Sequence, residues 1–265
     1  MFLTRLLTAA VLLAAFLGAL FWLERGQFAI VVSAVVGLGG HEWGRLNKAS
    51  PALSVVYGAA CACICLSAAQ FIPSAPWTCG AAALFWILAA PYWLAKGFMP
   101  AAAWGRAATG LVVLIPAGLA MIAMPRAQLL MVLGIIWIAD TGAYLAGRAF
   151  GRRKLAPSIS PGKTWEGVAG GAICCVIYAI IWAFSDPELR ARVQGFVWIP
   201  FLAGTLLLCA LSVVGDLFES AVKRQAGAKD SGRLLPGHGG VLDRIDSATA
   251  TLPGALLLMQ AMGTT

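Results

Sequence analysis

Asp216 closes an apolar run and is followed at helical spacing by Glu219, Ser220, Lys223 and Arg224. If the helix continues through them, these five residues share one face, with a carboxylate near the membrane boundary and two cations one to two turns further out. The stretch from Lys229 to Asp246 then holds Pro236, Gly237, His238, Gly239 and Gly240, a tight loop whose backbone N–H groups can approach an anion closely. Asp243 and Asp246 lie three residues apart, on one face of the helix predicted next. With Asp216 they supply up to three carboxylates. Mg²⁺ favours one or two carboxylates completed by water and phosphate oxygens. Cations clustered around such a set suit a polyphosphate substrate.

A second polar stretch runs from Phe150 to Gly167 and contains Ser160-Pro161-Gly162-Lys163-Thr164. Gly162-Lys163-Thr164 invites comparison with a P-loop. That motif needs glycine at position 157, where Pro157 stands, and no strand is predicted before it. Lys163 at the start of a helix is nevertheless well placed to meet phosphate, because helix N-termini attract anions. Upstream, Trp137, Asp140, Thr141, Tyr144 and Arg148 form one helical stripe within an apolar run, expected to point into the bundle. A carboxylate at mid-bilayer costs about 2.5–3.5 kcal/mol, so Asp140 is either a buried interhelical hydrogen-bonding group or part of the site.

The elements that must position these residues follow from composition. The 265 residues are 60% hydrophobic and only 11% charged, with mean hydropathy +0.85. A soluble enzyme, a disordered chain and a disulfide scaffold are excluded by so little polar surface. A helical span takes about 20 apolar residues. Candidate spans fall near 6–23, 27–44, 52–72, 78–95, 107–124, 128–147, 165–185, 196–215 and 247–263, the last the weakest because Pro253-Gly254 interrupts it. The first is expected to be an uncleaved span, since Leu17-Gly18-Ala19 is a poor cleavage site. The seven cysteines are expected to pack between helices rather than bind zinc.

The net charge is +8. Nine spans with the N-terminus inside put fifteen of the nineteen Lys and Arg on the cytoplasmic side, as the positive-inside rule requires. The charge therefore reflects topology and phosphate or anionic-lipid substrates, and no nucleic-acid partner is expected. Nine of the eleven carboxylates fall within 140–246, so chemistry is expected there. This arrangement also places the loops 148–164 and 219–246 on one side. Residues 1–130 are expected to form an N-terminal transmembrane region and 131–265 the catalytic one.

Ser220-x-x-Lys223-Arg224, Lys229-Asp230-x-Gly232 and Pro236-Gly237-His238-Gly239-Gly240-x-x-Asp243-Arg244-x-Asp246 together resemble the signature of the phosphatidate cytidylyltransferase (CDP-diacylglycerol synthase) family. Asp140-Thr141-Gly142-Ala143-Tyr144 and the run from Ser160 to Gly167 are similar to it as well. The match is strongest over about residues 134–250. The resemblance implies an all-α, polytopic helical enzyme, a homodimer, in the bacterial inner membrane with its site facing the cytoplasm. It implies transfer of CMP from CTP to phosphatidate, with Mg²⁺ and a monovalent cation such as K⁺.

Carried onto this sequence, Asp216 and Asp243 are expected to bind metal, with Asp246 a third contributor. Lys223, Arg224, Lys229 and Arg244 are expected to meet phosphate or leaving-group charge. Ser160, Lys163 and His238, with Gly239 and Gly240, would position substrate. Asp140, Glu166 and Ser220 would support the cations from behind. The rival readings are a CTP-dependent polyprenol or lipid kinase, which would release CDP, and an ion-coupled transporter. Clustering of the polar loops on one side disfavours the transporter, since an ion path needs polar groups at both ends.

Overall fold

Between helices surrounded by lipid, association rests on close packing of small residues. The computed structural model, which describes residues 2–71, 76–97, 100 and 102–263, shows this at two helix pairs. Helices α1 (Phe2–Trp22), α2 (Arg25–Leu46) and α3 (Pro51–Phe71) open the chain. A Cβ at Gly58 of α3 would lie 2.6 Å from the Gly37 carbonyl of α2, so only glycine permits that approach. The same device joins α7 (Arg126–Phe150) to α8 (Trp165–Ser185), where a Cβ at Gly171 would lie 2.7 Å from the Ala139 carbonyl.

Between these pairs run α4 (Pro76–Leu84), a π-helical turn (Phe85–Ala89) and α5 (Ala90–Lys96) as one rod, then α6 (Ala103–Ala123). The π turn stands just before Pro91, whose ring cannot follow a regular helical turn without clashing four residues back. After α8 come the short α9 (Pro187–Arg192), α10 (Trp198–Gln225) and α11 (Leu242–Ala261). The expected break at 73–76 lies outside the described residues except for its last position.

Among the described residues, six helical segments are long and apolar enough to cross a membrane. Ile173, Ile177, Ile181 and Phe184 form an exposed apolar stripe along α8, as a bilayer-facing surface would. The chain is thus an all-α, polytopic membrane protein. Its central helix is α11, buried from Ser247 through Leu256. The Pro253-Gly254 interruption expected there does not occur. Burial among neighbours lets α11 carry proline and hydroxyls, and Thr251 Oγ1 donates to the Ser247 carbonyl at 2.8 Å.

Two other expectations change. The loop 148–164 contains an antiparallel hairpin, β1 (Lys154–Ala156) and β2 (Ser160–Thr164). Its pairing rests on backbone groups and a turn at Pro157-Ser158, with no apolar alternation to announce it. The stripe on α7 does not point into the bundle: α7 buries Leu129, Val132, Leu133, Ile135, Ile136, Ala139 and Gly142, whereas Trp137, Asp140, Thr141, Tyr144 and Arg148 are exposed. The close α8 contact takes the small-residue face of α7 and leaves the polar stripe exposed, with Asp140, Tyr144 and Arg148 lining an open cleft. Five of the seven cysteines are buried between helices and all are free, as their composition suggested.

Candidate functional site

The two polar stretches meet at one end of the bundle. Thr164 Oγ1 accepts from Gly167 N at 3.1 Å and caps α8, so β2 turns directly into that helix. Lys163, one residue before the cap, reaches α10 with its Nζ 2.6 Å from Asp216 Oδ2. Asp216 Oδ1 accepts from Ser220 Oγ one turn on, at 3.3 Å. The pair borders a cleft of about 420 Å³ whose walls include Asp140, Tyr144, Arg148, Ser160, Val168 and Val213. The cleft mixes apolar residues with two cations, Arg148 and Lys163, and two carboxylates, Asp140 and Asp216, and Arg148 is exposed.

α10 continues as a helix beyond Asp216, as its spacing suggested. Its next turns carry Glu219 and Lys223, and Lys223 Nζ lies 2.5 Å from Glu219 Oε2 and 2.6 Å from Asp243 Oδ1. All three groups are largely buried, with side-chain exposures of 11% for Lys223, 6% for Glu219 and 5% for Asp243. One ammonium between two carboxylates therefore fastens α10 to the first turn of α11. Phe218 braces the same stretch from inside. Its ring packs 5.3 Å from Trp86, 5.5 Å from Phe85 and 6.2 Å from Trp93, centroid to centroid.

Asp243 Oδ2 accepts from Gly240 N at 2.8 Å, Ser231 N at 2.9 Å and Ser231 Oγ at 3.0 Å. Expected at the metal, Asp243 is held in this structure by Lys223 and by the ends of the 231–240 loop. Asp246 accepts from Ser247 N at 2.7 Å and lies within electrostatic reach of both Asp216 and Asp140. The structure therefore groups Asp140, Asp216 and Asp246, and binds Asp243 separately through Lys223. Among the described residues, no three His, Cys, Asp or Glu side chains form a ready-made metal cage.

The remaining expected residues are placed around this centre. Arg224 Nη1 donates to the Ala228 carbonyl at 3.1 Å and its Nε to the Ile159 carbonyl at 3.4 Å, tying the two loops together. Glu166 accepts from the N–H groups of Arg152 and Arg153 at 3.0–3.2 Å, so it anchors the start of the hairpin rather than facing Asp216. His238 sits in a turn closed by Leu235 N donating to the Gly239 carbonyl at 2.9 Å, and its Nδ1 is buried without a partner among the described residues. Gly237 and Gly239 flank it at φ of 75° and 78°, where a side chain would be strained. Arg244 and Lys229 are exposed. Thr8 Oγ1 donates to the Pro236 carbonyl at 3.1 Å, which brings the start of α1 to this same end.

One residue central to the site was missed. Glu42, on α2 and 5% exposed, accepts from Val241 N at 2.9 Å, Leu242 N at 2.9 Å and Ser231 Oγ at 2.8 Å. It caps α11 from a helix almost 200 residues away. The signal is in the sequence: Glu42 is a carboxylate near the end of an apolar run, and such a group needs a partner.

The cytidylyltransferase family model matches residues 3–262. The chain is 40% identical to the phosphatidate cytidylyltransferase of Pseudomonas aeruginosa over 98% of its length and 97% of that protein's. It is 52% identical to the enzyme of the same name from Haemophilus influenzae over 47% of this chain and 43% of that one. Its identity to that of Staphylococcus haemolyticus is 46%, over 48% and 47% respectively.

Proposed function

The chain belongs to the cytidylyltransferase family, and from that membership we propose that it transfers CMP from CTP to phosphatidate, releasing CDP-diacylglycerol and pyrophosphate for phospholipid biosynthesis. The observation that carries this reading is the Lys163–Asp216 pair in a cleft that combines two cations, Arg148 and Lys163, with two carboxylates, Asp140 and Asp216, and apolar residues, at the end of membrane-length helices. Such a cleft suits a lipid whose phosphate must leave the acyl layer to meet a soluble nucleotide.

A phosphatidate oxygen attacks the α-phosphorus of CTP, a new P–O bond forms, and the bond to the bridging α–β oxygen breaks. The electron pair leaves with pyrophosphate. A phosphomonoester has its second ionisation near pH 6, so this nucleophile is already anionic at neutral pH. The protein then has to supply alignment and positive charge rather than a base. Lys163 and Arg148 line the cleft and are assigned to phosphate oxygens. Lys223 fixes α10 against α11, and Ser160 and the 237–240 turn frame the substrates.

The residues fit a divalent cation. Asp140, Asp216, Glu219, Asp243 and Asp246 interact electrostatically as a chain, while two lysines, Lys163 and Lys223, pair directly with them. The surplus is negative. Asp216 and Asp246 would hold Mg²⁺ together with phosphate oxygens, and the bound ion would neutralise charge on the reacting phosphates. A monovalent cation such as K⁺ would reduce the remaining surplus.

On this reading α1, α2 and α11 also cross the bilayer, giving nine spans, with the N-terminus and the site in the cytoplasm of a bacterium and the enzyme a homodimer in its inner membrane. Support comes from the distribution of Lys and Arg and from the Thr8–Pro236 contact. The test is incubation of detergent-purified protein with α-labelled CTP, phosphatidate and Mg²⁺. Label in the lipid fraction with equal pyrophosphate is expected. Release of CDP with a phosphorylated lipid would establish a kinase instead, and no lipid label would end the proposal.

A further inference from the structure

The cleft beside Lys163 is accompanied at this end of the bundle by other openings among the described residues. On the far side of the Lys223–Asp243 contact lies a groove of about 770 Å³ between the C-terminal turn of α2 and the chain from Ala226 to Arg233. Its charged lining is Arg45, Lys229, Arg233 and Asp230. All four are exposed. None of the three cations makes an ion pair or a side-chain hydrogen bond with a described residue, although Asp230 shares the groove with them. Three like charges converging on one concavity repel one another, and the single Asp230 carboxylate among them leaves a net positive groove.

The cleft and this groove differ in what flanks them. Beside the first stand Trp137, Leu145 and Phe150, exposed apolar residues of a membrane-length helix. The groove is instead built largely from the polar loop after α10, beyond the apolar part of that helix. Its floor includes Ser231, whose Oγ touches both Glu42 and Asp243. An anion held here would therefore lie one hydroxyl away from the carboxylate that holds Lys223.

Resting on the proposed cytidylyl transfer, we propose that Arg45 and Arg233 join Lys229, already expected to meet leaving-group charge, in a subsite for the polyphosphate of the nucleotide, the part that leaves as pyrophosphate. Arg45 brings the N-terminal helices into substrate recognition. Guanidinium groups suit this role because they bind phosphate oxygens in a fixed two-pronged geometry. A membrane-surface headgroup offers similar chemistry. It would meet the groove only from outside the bilayer's apolar layer, and the experiment separates the two sources.

Purified full-length protein in neutral detergent is assayed with varied CTP, varied phosphatidate and inorganic pyrophosphate as product inhibitor. For Arg45→Gln, the KM for CTP and the inhibition constant for pyrophosphate should rise together by about tenfold, the loss expected of one charge-assisted contact. The KM for phosphatidate should stay within about twofold. Arg233→Gln, on the exposed loop, should shift both constants in the same direction and covers the case in which Arg45→Gln does not fold. Unchanged CTP and pyrophosphate constants in both variants would overturn the subsite while leaving the transfer reaction intact. A rise confined to phosphatidate, or weakened binding to anionic phosphatidylglycerol vesicles alone, would assign the groove to lipid headgroups and also overturn it. Direct calorimetric titration with pyrophosphate reads the subsite even if no transfer activity is found, so failure of the wider reading is distinguishable.

Discussion

Glu42 Oε2 accepts from Ser231 Oγ at 2.8 Å, joining residues 189 positions apart. The same carboxylate receives the first N–H groups of α11, so the N-terminal helices hold the helix that carries Asp243 and Asp246. Orphan donors at a buried helix start need acceptors, and here a distant side chain supplies them.

Glu42→Ala should therefore destabilise the protein as a whole. It leaves two buried backbone donors, Val241 N and Leu242 N, unpaired, each at about 1–3 kcal/mol, for a loss of roughly 2 kcal/mol or more, while Ser231 Oγ keeps Asp243. Thermal unfolding in detergent should show a midpoint well below wild type, with Glu42→Gln between the two because its amide keeps one acceptor oxygen. A Glu42→Ala protein that melts with wild type would show that the cap carries no weight.

Lys163→Met should do the opposite, sparing the fold and damaging the chemistry. The Lys163–Asp216 pair has side-chain exposures of 23% and 30%, and a pair so open to solvent contributes little to stability, about 0–1 kcal/mol. Loss of a positioned charge at a reacting phosphate costs about 10²–10³-fold in rate. Single-turnover rates and melting curves on the same preparation separate the two effects. Equal losses in both would make Lys163 a structural residue.

The α7–α8 seam predicts a contrast between two glycines. Gly171→Val drives new atoms into the Ala139 carbonyl, and overpacking of this kind costs about 1–3 kcal/mol. Gly80→Ala meets nothing within 4 Å and sits in a helix, where alanine is favoured by about 0.5–1 kcal/mol. Expression yield and melting midpoint should fall for the first and hold or rise for the second. Tolerance of Gly171→Val would show that the helices can separate.

Sidedness is open to labelling. Ser158 at the hairpin turn and Glu188 on α9 are both exposed and lie at opposite ends of α8. In a Cys63→Ser background, a membrane-impermeant maleimide should modify Glu188→Cys in intact cells and Ser158→Cys only after permeabilisation. The reverse pattern would invert the topology.

Much of this architecture was readable in the sequence, for definite reasons. Apolar runs of bilayer length marked the long helices, and the spacing of Asp216, Glu219 and Lys223 placed them on one continuing helix. The meeting of Lys163 with Asp216 agrees with the expectation that both polar stretches lie at one end. What escaped was carried by partners rather than by pattern. Glu42 owes its role to backbone groups some 200 residues downstream. The hairpin at 154–164 is stitched by main chain and leaves no alternation to read. The outward turn of the Asp140 stripe depended on which face of α7 the glycines of α8 would claim, and two helices with small residues do not reveal that until they are docked. Asp243 illustrates the same limit, since its spacing to Asp246 suits a shared ligand role while its contacts are to Lys223 and Ser231.

The π turn at Phe85–Ala89 has a consequence for the numbering of faces. It holds one residue more than an α-helical turn would, so everything after it is shifted in phase by about 100°. Trp93, downstream of the turn, stacks 6.2 Å from Phe218 in this shifted phase. Deleting a single residue from the turn would keep every downstream side chain and still rotate Trp93 off Phe218, withdrawing the brace beneath the Glu219–Lys223 stretch. At this position chain length is itself a determinant of the site, and a sequence comparison that treated a one-residue gap there as neutral would miss it.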